Sequence, residues 1–88
     1  MLNLTDACYL AREYFRKTVG ENGIQTIHET PKEWVFCSGK YGAREYGSLF
    51  IAISKQNGRI QLLKMPSDEA FQIMDVALSI EVPIDYRV

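Results

Sequence analysis

Eighty-eight residues make one domain, spanning 1–88, and a chain of that size buries only roughly 60 to 65% of the surface its unfolded form exposes, so its core has to be compact. An apolar fraction of 47% with 24% charged residues excludes a disordered or low-complexity chain. The net charge of −1 argues against a dedicated nucleic-acid binder, because cationic excess supplies most of the affinity for phosphate.

The chain opens "MLNLTDACYL", without the basic and continuously apolar regions of a secretory leader, and no window reaches the roughly 18 apolar residues of a membrane span. A cytoplasmic protein with no membrane partner is expected. In that reducing compartment Cys8 and Cys37 are expected as free, buried thiols. From Leu4 to Val19 the apolar residues recur at three-and-four spacing and predict an amphipathic helix, capped by Thr5 or Asn3 and closed by Gly20. Ile24 to Glu29 and "EWVFCS" read as two strands joined by a turn at "TPK".

After a glycine-rich stretch, "SLFIAIS" and "RIQLLK" predict a second hairpin. Its turn is placed at Asn57-Gly58, the pair that best tolerates two positive φ angles, with Ile53 opposite Leu62. Pro66, Ser67, Asp68 and Glu69 announce a helix with Ser67 as N-cap and a buried stripe of Phe71, Met74, Ala77 and Leu78. Pro83 stops any continuation, and "IEVPIDYRV" reads as an extended tail. The order predicts an α+β fold, a four-stranded antiparallel meander with an N-terminal and a C-terminal helix packed on one face.

That register leaves Phe50, Ala52, Leu63 and Met65 on the face away from the helices, which is more apolar than a face meant for water. Either the tail or the loop covers it, or it meets a second copy or another protein; Phe50, Leu63 and Met65 are the interface candidates.

Catalytic chemistry finds little support in the pattern. His28 and Cys37 lie diagonally across the first hairpin, but no oxyanion donor or orienting residue accompanies them. One histidine and two distant cysteines do not make a metal site, and no cofactor is expected. "GKYG" has the spacing of a nucleotide clamp yet joins two strands rather than two helices, and it lacks the Lys-Ser/Thr ending of a phosphate loop. A non-enzyme is expected.

Charge is more informative. Lys40, Arg44, Lys55, Arg59 and Lys64 face only Glu45 in the middle of the chain, whereas Asp68, Glu69, Asp75, Glu81 and Asp85 face only Arg87 in the last quarter. Such a dipolar surface suits steering toward a protein partner or head-to-tail self-association. The stretch "GKYGAREYG", residues 39–47, adds Lys40, Tyr41, Arg44 and Tyr46 in a glycine-hinged loop, with aromatic and arginine side chains of the kind found at binding hot spots.

The amphipathic first helix, the aromatic strand "EWVF", the hairpin "IAISKQNGRI" and the helix start "PSDEAF" together resemble the YrhB-like family, grouped with polymorphic-toxin immunity proteins as immunity protein family thirty-five. Trp34 and Phe36 match its aromatic strand and Asn57-Gly58 its hairpin turn, while "YGSLF" keeps the glycine but not the Asn and Pro of the family's entry to the third strand. The resemblance implies a protein that neutralises a toxin by binding it, or a chaperone-like activity in some members, and transfers no catalytic residue. A homodimeric or chaperone-like stand-alone protein is the alternative reading.

Overall fold

Helix α1 spans Leu4–Val19 in the computed structural model, which describes residues 1–45, 49–64 and 67–88. Asn3 is its N-cap: Oδ1 accepts from the Asp6 N–H at 2.8 Å, satisfying one of the amides that a helix start leaves without a carbonyl. Gly20 closes it in the left-handed region at φ 70°. The strands are β1 (Ile24–Glu29), β2 (Glu33–Ser38), β3 (Phe50–Ser54) and β4 (Ile60–Leu63); α2 (Asp68–Asp75) and β5 (Leu78–Ile80) follow, then a 3-10 turn at Ile84–Tyr86.

All strand pairs are antiparallel, in the spatial order β4-β3-β2-β1-β5. Four strands form the expected meander. An unexpected fifth strand forms from Leu78–Ile80, sharing only Ile80 with the expected extended tail, after the chain crosses from the β4 edge to the β1 edge, where Ile80 pairs opposite Ile27 and Leu78 opposite Glu29. Leu78 therefore belongs to a strand and is 70% exposed, and Phe71 is 55% exposed, so neither joins the stripe assigned to them. The residues of α2 that pack inward are Ala70, Ile73 and Met74.

The two helices also lie on opposite faces. Ala7, Ala11 and Phe15 of α1 share one cluster with Ile27, Phe36 and Ile51, whereas Val35, Ala52 and Leu63 form a second cluster against Ile73 and Met74 of α2. The physical cause is alternation: the strands carry apolar residues at both parities, so each face needs a cover, and one helix cannot supply two.

The second hairpin differs from its expected register by two residues, with Ile53 opposite Ile60 and Phe50 opposite Leu63. Only Gly58 adopts positive φ, at 72°. Asn57 instead uses its Oδ1 to accept from the Arg59 N–H at 2.9 Å, and the loop widens until Ser54 N–H meets Arg59 O. A shift of two keeps every side chain on its expected face. Among the described residues no helix is long and apolar enough to cross a membrane.

Where the open end of the β1–β2 hairpin is tied, backbone meets backbone. The Gly39 N–H donates to Gly23 O at 3.1 Å, and a Cβ on Gly23 would lie 2.7 Å from Gly39 O and collide with the Val88 side chain. Val88 can rotate away, but a paired carbonyl cannot. Gly23→Ala is expected to cost about 1 to 3 kcal/mol, as overpacking does in a filled interior; a urea midpoint equal to that of the wild type would refute the close approach.

Candidate functional site

The loop after β2 is the one long connection whose exposed residues are aromatic and cationic, and the structure holds its described part, Gly39–Glu45, in a defined shape. Its base is stapled: Ser38 N–H donates to Leu49 O at 2.9 Å, and Leu49 N–H donates to Ser38 Oγ at 3.0 Å. Gly39 and Gly42 take φ values of 133° and 79°, a region where a side chain would be strained, and between them the Ala43 N–H closes a turn on Lys40 O at 3.2 Å.

Two residues outside the loop hold its crest. β1 has an irregularity between Ile24 and Thr26, where two of its residues stand against one step of β2. The residue there is Gln25, 5% exposed, and its Nε2 donates to Ala43 O at 3.1 Å and to Glu45 O at 2.7 Å. From the other side the Arg87 guanidinium lies 4.1 Å from the centre of the Tyr41 ring. Arg87 is itself fixed, donating through Nε to Val82 O at 2.8 Å and through Nη2 to Glu81 Oε1 at 2.7 Å.

The consequence is an exposed platform whose described backbone is tied at several points. Lys40 and Arg44 project to solvent, and Tyr41 is 39% exposed with Arg87 over its ring. Beside it a cleft of about 600 Å³ runs between Tyr41 and Arg44 on one wall and Ser79, Ile80 and Glu81 on the other, with Gln25 and Thr26 at its base. Tyr46, the fourth residue expected at this site, lies outside the described residues. Gln25 and Arg87 went unpredicted, and nothing in the strand "IQTIHE", which also carries Thr26, His28 and Glu29, singles Gln25 out.

The expected interface on the second sheet face is corrected by α2. Leu63 is 5% exposed and, with Val35 and Ala52, packs against Ile73 and Met74 of α2, while half-buried Phe50 packs against the same cluster, so α2 rather than a partner covers this part of the face. Met65 lies outside the described residues.

A wider depression of about 880 Å³ lies near the β1–β2 and β3–β4 turns, bordered by Lys32, Lys55, Arg59 and Gln61. Its most enclosed cation, Lys55, is already engaged: Nζ donates to Glu29 Oε2 at 2.5 Å and sits 4.5 Å from the Trp34 ring centre. Cys37 Sγ faces Gln25 Oε1 at 3.6 Å and Ser38 O at 3.3 Å, both acceptors, and its direct strand partner is Thr26, with His28 at the expected diagonal position opposite Val35. Burial lowers the His28 pKa from its ordinary value, and it pushes the Cys8 thiol up to about 11. Native Cys8 should then be roughly one part in ten thousand thiolate at neutral pH and react with iodoacetamide far more slowly than a free thiol; fast modification of the folded protein would contradict its burial in the α1 core.

Among the described residues no cluster of three His, Cys, Asp or Glu side chains has the geometry to hold a metal ion. Comparison with protein-family models, with curated proteins and with solved structures returns no match to the chain.

Proposed function

We propose that this is a non-catalytic protein-binding domain, most specifically one that neutralises a toxin by docking on it through the 39–47 loop. The observation that carries the reading is the pre-formed crest Lys40–Arg44. A partner meets an arginine whose neighbours on either side, Ala43 and Glu45, are already held through their carbonyls by Gln25, and a tyrosine whose ring is already stacked by Arg87. Binding therefore costs little ordering of the loop, and rigid Tyr and Arg side chains are the types that dominate interface energies.

The test is co-expression with the product of the gene immediately upstream. The expected result is that this product is a multidomain toxin whose growth arrest is lifted by the wild-type domain, and that replacing Tyr41 and Arg44 together by Ala weakens the complex by at least about 2 kcal/mol while the melting temperature moves little. Equal affinity in the double variant would place the binding surface elsewhere, and an upstream product without toxicity would remove the immunity reading.

A further inference from the structure

On α1 the guanidinium carbon of Arg12 lies 4.8 Å from the ring centre of Tyr86 and 5.8 Å from that of Tyr9. Two rings hold one cation. Tyr86 packs against the α1 core cluster and so anchors the stack from the tail, while Tyr9 is 52% exposed. Arg12 itself is half-buried, and its Nε is sealed from water without a hydrogen bond. The other ring-stacked cations among the described residues each hold a carboxylate as well: Lys55 pairs with Glu29 beside Trp34, and Arg87 with Glu81 beside Tyr41. Arg12 has the rings and lacks the carboxylate. Its helix neighbour Glu13 is taken by Arg16 at 3.2 Å, and among the described residues no carboxylate reaches ion-pair distance of Arg12.

We propose that Arg12, walled by Tyr9 and Tyr86, is a socket for a carboxylate of the protein partner, the side chain of an Asp or Glu. The proposal rests on the protein-binding reading and adds a second contact together with the chemistry that fills it. A guanidinium that has lost water and gained no acceptor is an unfinished interaction, and a native structure that keeps one calls for the missing group. Only Nε is sealed among its nitrogens, so the terminal pair Nη1 and Nη2 is the edge that a ligand reaches. The rings fix the plane of that edge before binding, and partial desolvation strengthens the attraction it exerts.

Charge and shape favour a carboxylate over a phosphate. One guanidinium matches the single charge and planar pair of oxygens of a carboxylate, whereas a phosphate brings nearly twice the charge and asks for a second cation. Arg16, the next cation along this side of the helix, is already paired with Glu13. The socket also adjoins the loop crest through the tail: Tyr86 stacks on Arg12, and the next residue, Arg87, stacks on Tyr41. A partner that grips Tyr41 and Arg44 therefore has Arg12 within the reach of a neighbouring acidic residue.

The experiment uses the full chain, isotopically labelled so that arginine Nε–H signals are seen by NMR, and titrates it with the capped tripeptide Ala-Glu-Ala at constant ionic strength. The expected result is saturable movement of the Arg12 Nε–H signal and of the Tyr9 and Tyr86 amides, with a dissociation constant below about 10 mM. Capped Ala-Gln-Ala should bind at least about tenfold more weakly. Arg12→Lys keeps the charge but loses the planar fork, and should weaken binding at least about fivefold. Tyr9→Ala, at an exposed position that the fold tolerates, should weaken it as well and reads the socket even where the tail loosens in Arg12→Lys. Arg16→Lys should leave binding unchanged. Absence of saturable movement, equal binding of the two peptides, or signal changes centred on Arg16 would overturn the proposal. So would tighter binding of inorganic phosphate than of the glutamate peptide, or saturation that appears only in Asp85→Asn, because the chain's own carboxylate would then own the socket. The titration needs no toxin, and the Tyr41 and Arg44 variant leaves Arg12 in place, so failure here leaves the loop reading standing and failure at the loop is read separately.

Discussion

Phe36→Ala should lower the stability of the protein by about 3 to 5 kcal/mol, most of what a small domain possesses. Phe36 is fully buried at the middle of the central strand β2, with Ile27 opposite on β1 and Ile51 opposite on β3. It belongs to the cluster that α1 closes with Ala11 and Phe15. Removing a ring there forfeits its transfer from water and leaves a void that a sheet paired on both sides closes only in part. Urea denaturation checks it: the midpoint should fall sharply. A loss under about 1 kcal/mol would mean that the α1 side of the sheet collapses around the gap.

Leu63→Lys should destabilise the monomer by about 2 to 4 kcal/mol and leave its sedimentation unchanged. Leu63 is 5% exposed, opposite Phe50 on β3 and beneath Ile73 and Met74 of α2. A lysine there loses the apolar contact and has to lead its ammonium past α2 to the β4 edge, which the long stem makes possible at a cost. If the sheet face were instead a dimer surface, the same substitution would leave the melting temperature in place and convert a dimer to a monomer. Thermal melting and sedimentation velocity on one preparation therefore separate the two.

Local chemistry explains which parts of the fold were legible. The bounds of α1 follow from an unbroken helical period between Asn3 and Gly20, and β1 and β2 from their β-branched and aromatic content. The apolar character of the second sheet face was equally visible, but its cover was misassigned, because Phe71, Met74, Ala77 and Leu78 have helical spacing although the chain leaves the helix at Asp75. Pairing with β1 draws Leu78 into a strand of three residues, too short to show its own period. The Asn57-Gly58 signal marked the right hairpin and the wrong width, since the Asn57 side chain found a backbone donor of its own. At the site, Lys40, Tyr41 and Arg44 stood out by residue type and are exposed as expected. Gln25 and Arg87 did not, because each acts on a loop distant along the chain, and single-residue character carries no sign of such a contact.

The strand order has a kinetic consequence. β1 to β4 are consecutive neighbours, so each pairs with the strand next to it in sequence, and the meander has the lower contact order of segments that assemble early. β5 pairs with a strand from the far end of the sequence and can dock only after that sheet exists. With three residues and one neighbour it is also the strand with the least to hold it, so the native protein should open there before it opens anywhere in the meander. Each such opening exposes the outer edge of β1 for the time it takes the last strand to return, which makes the end of folding, rather than its beginning, the interval in which this chain is most prone to pair with the wrong strand.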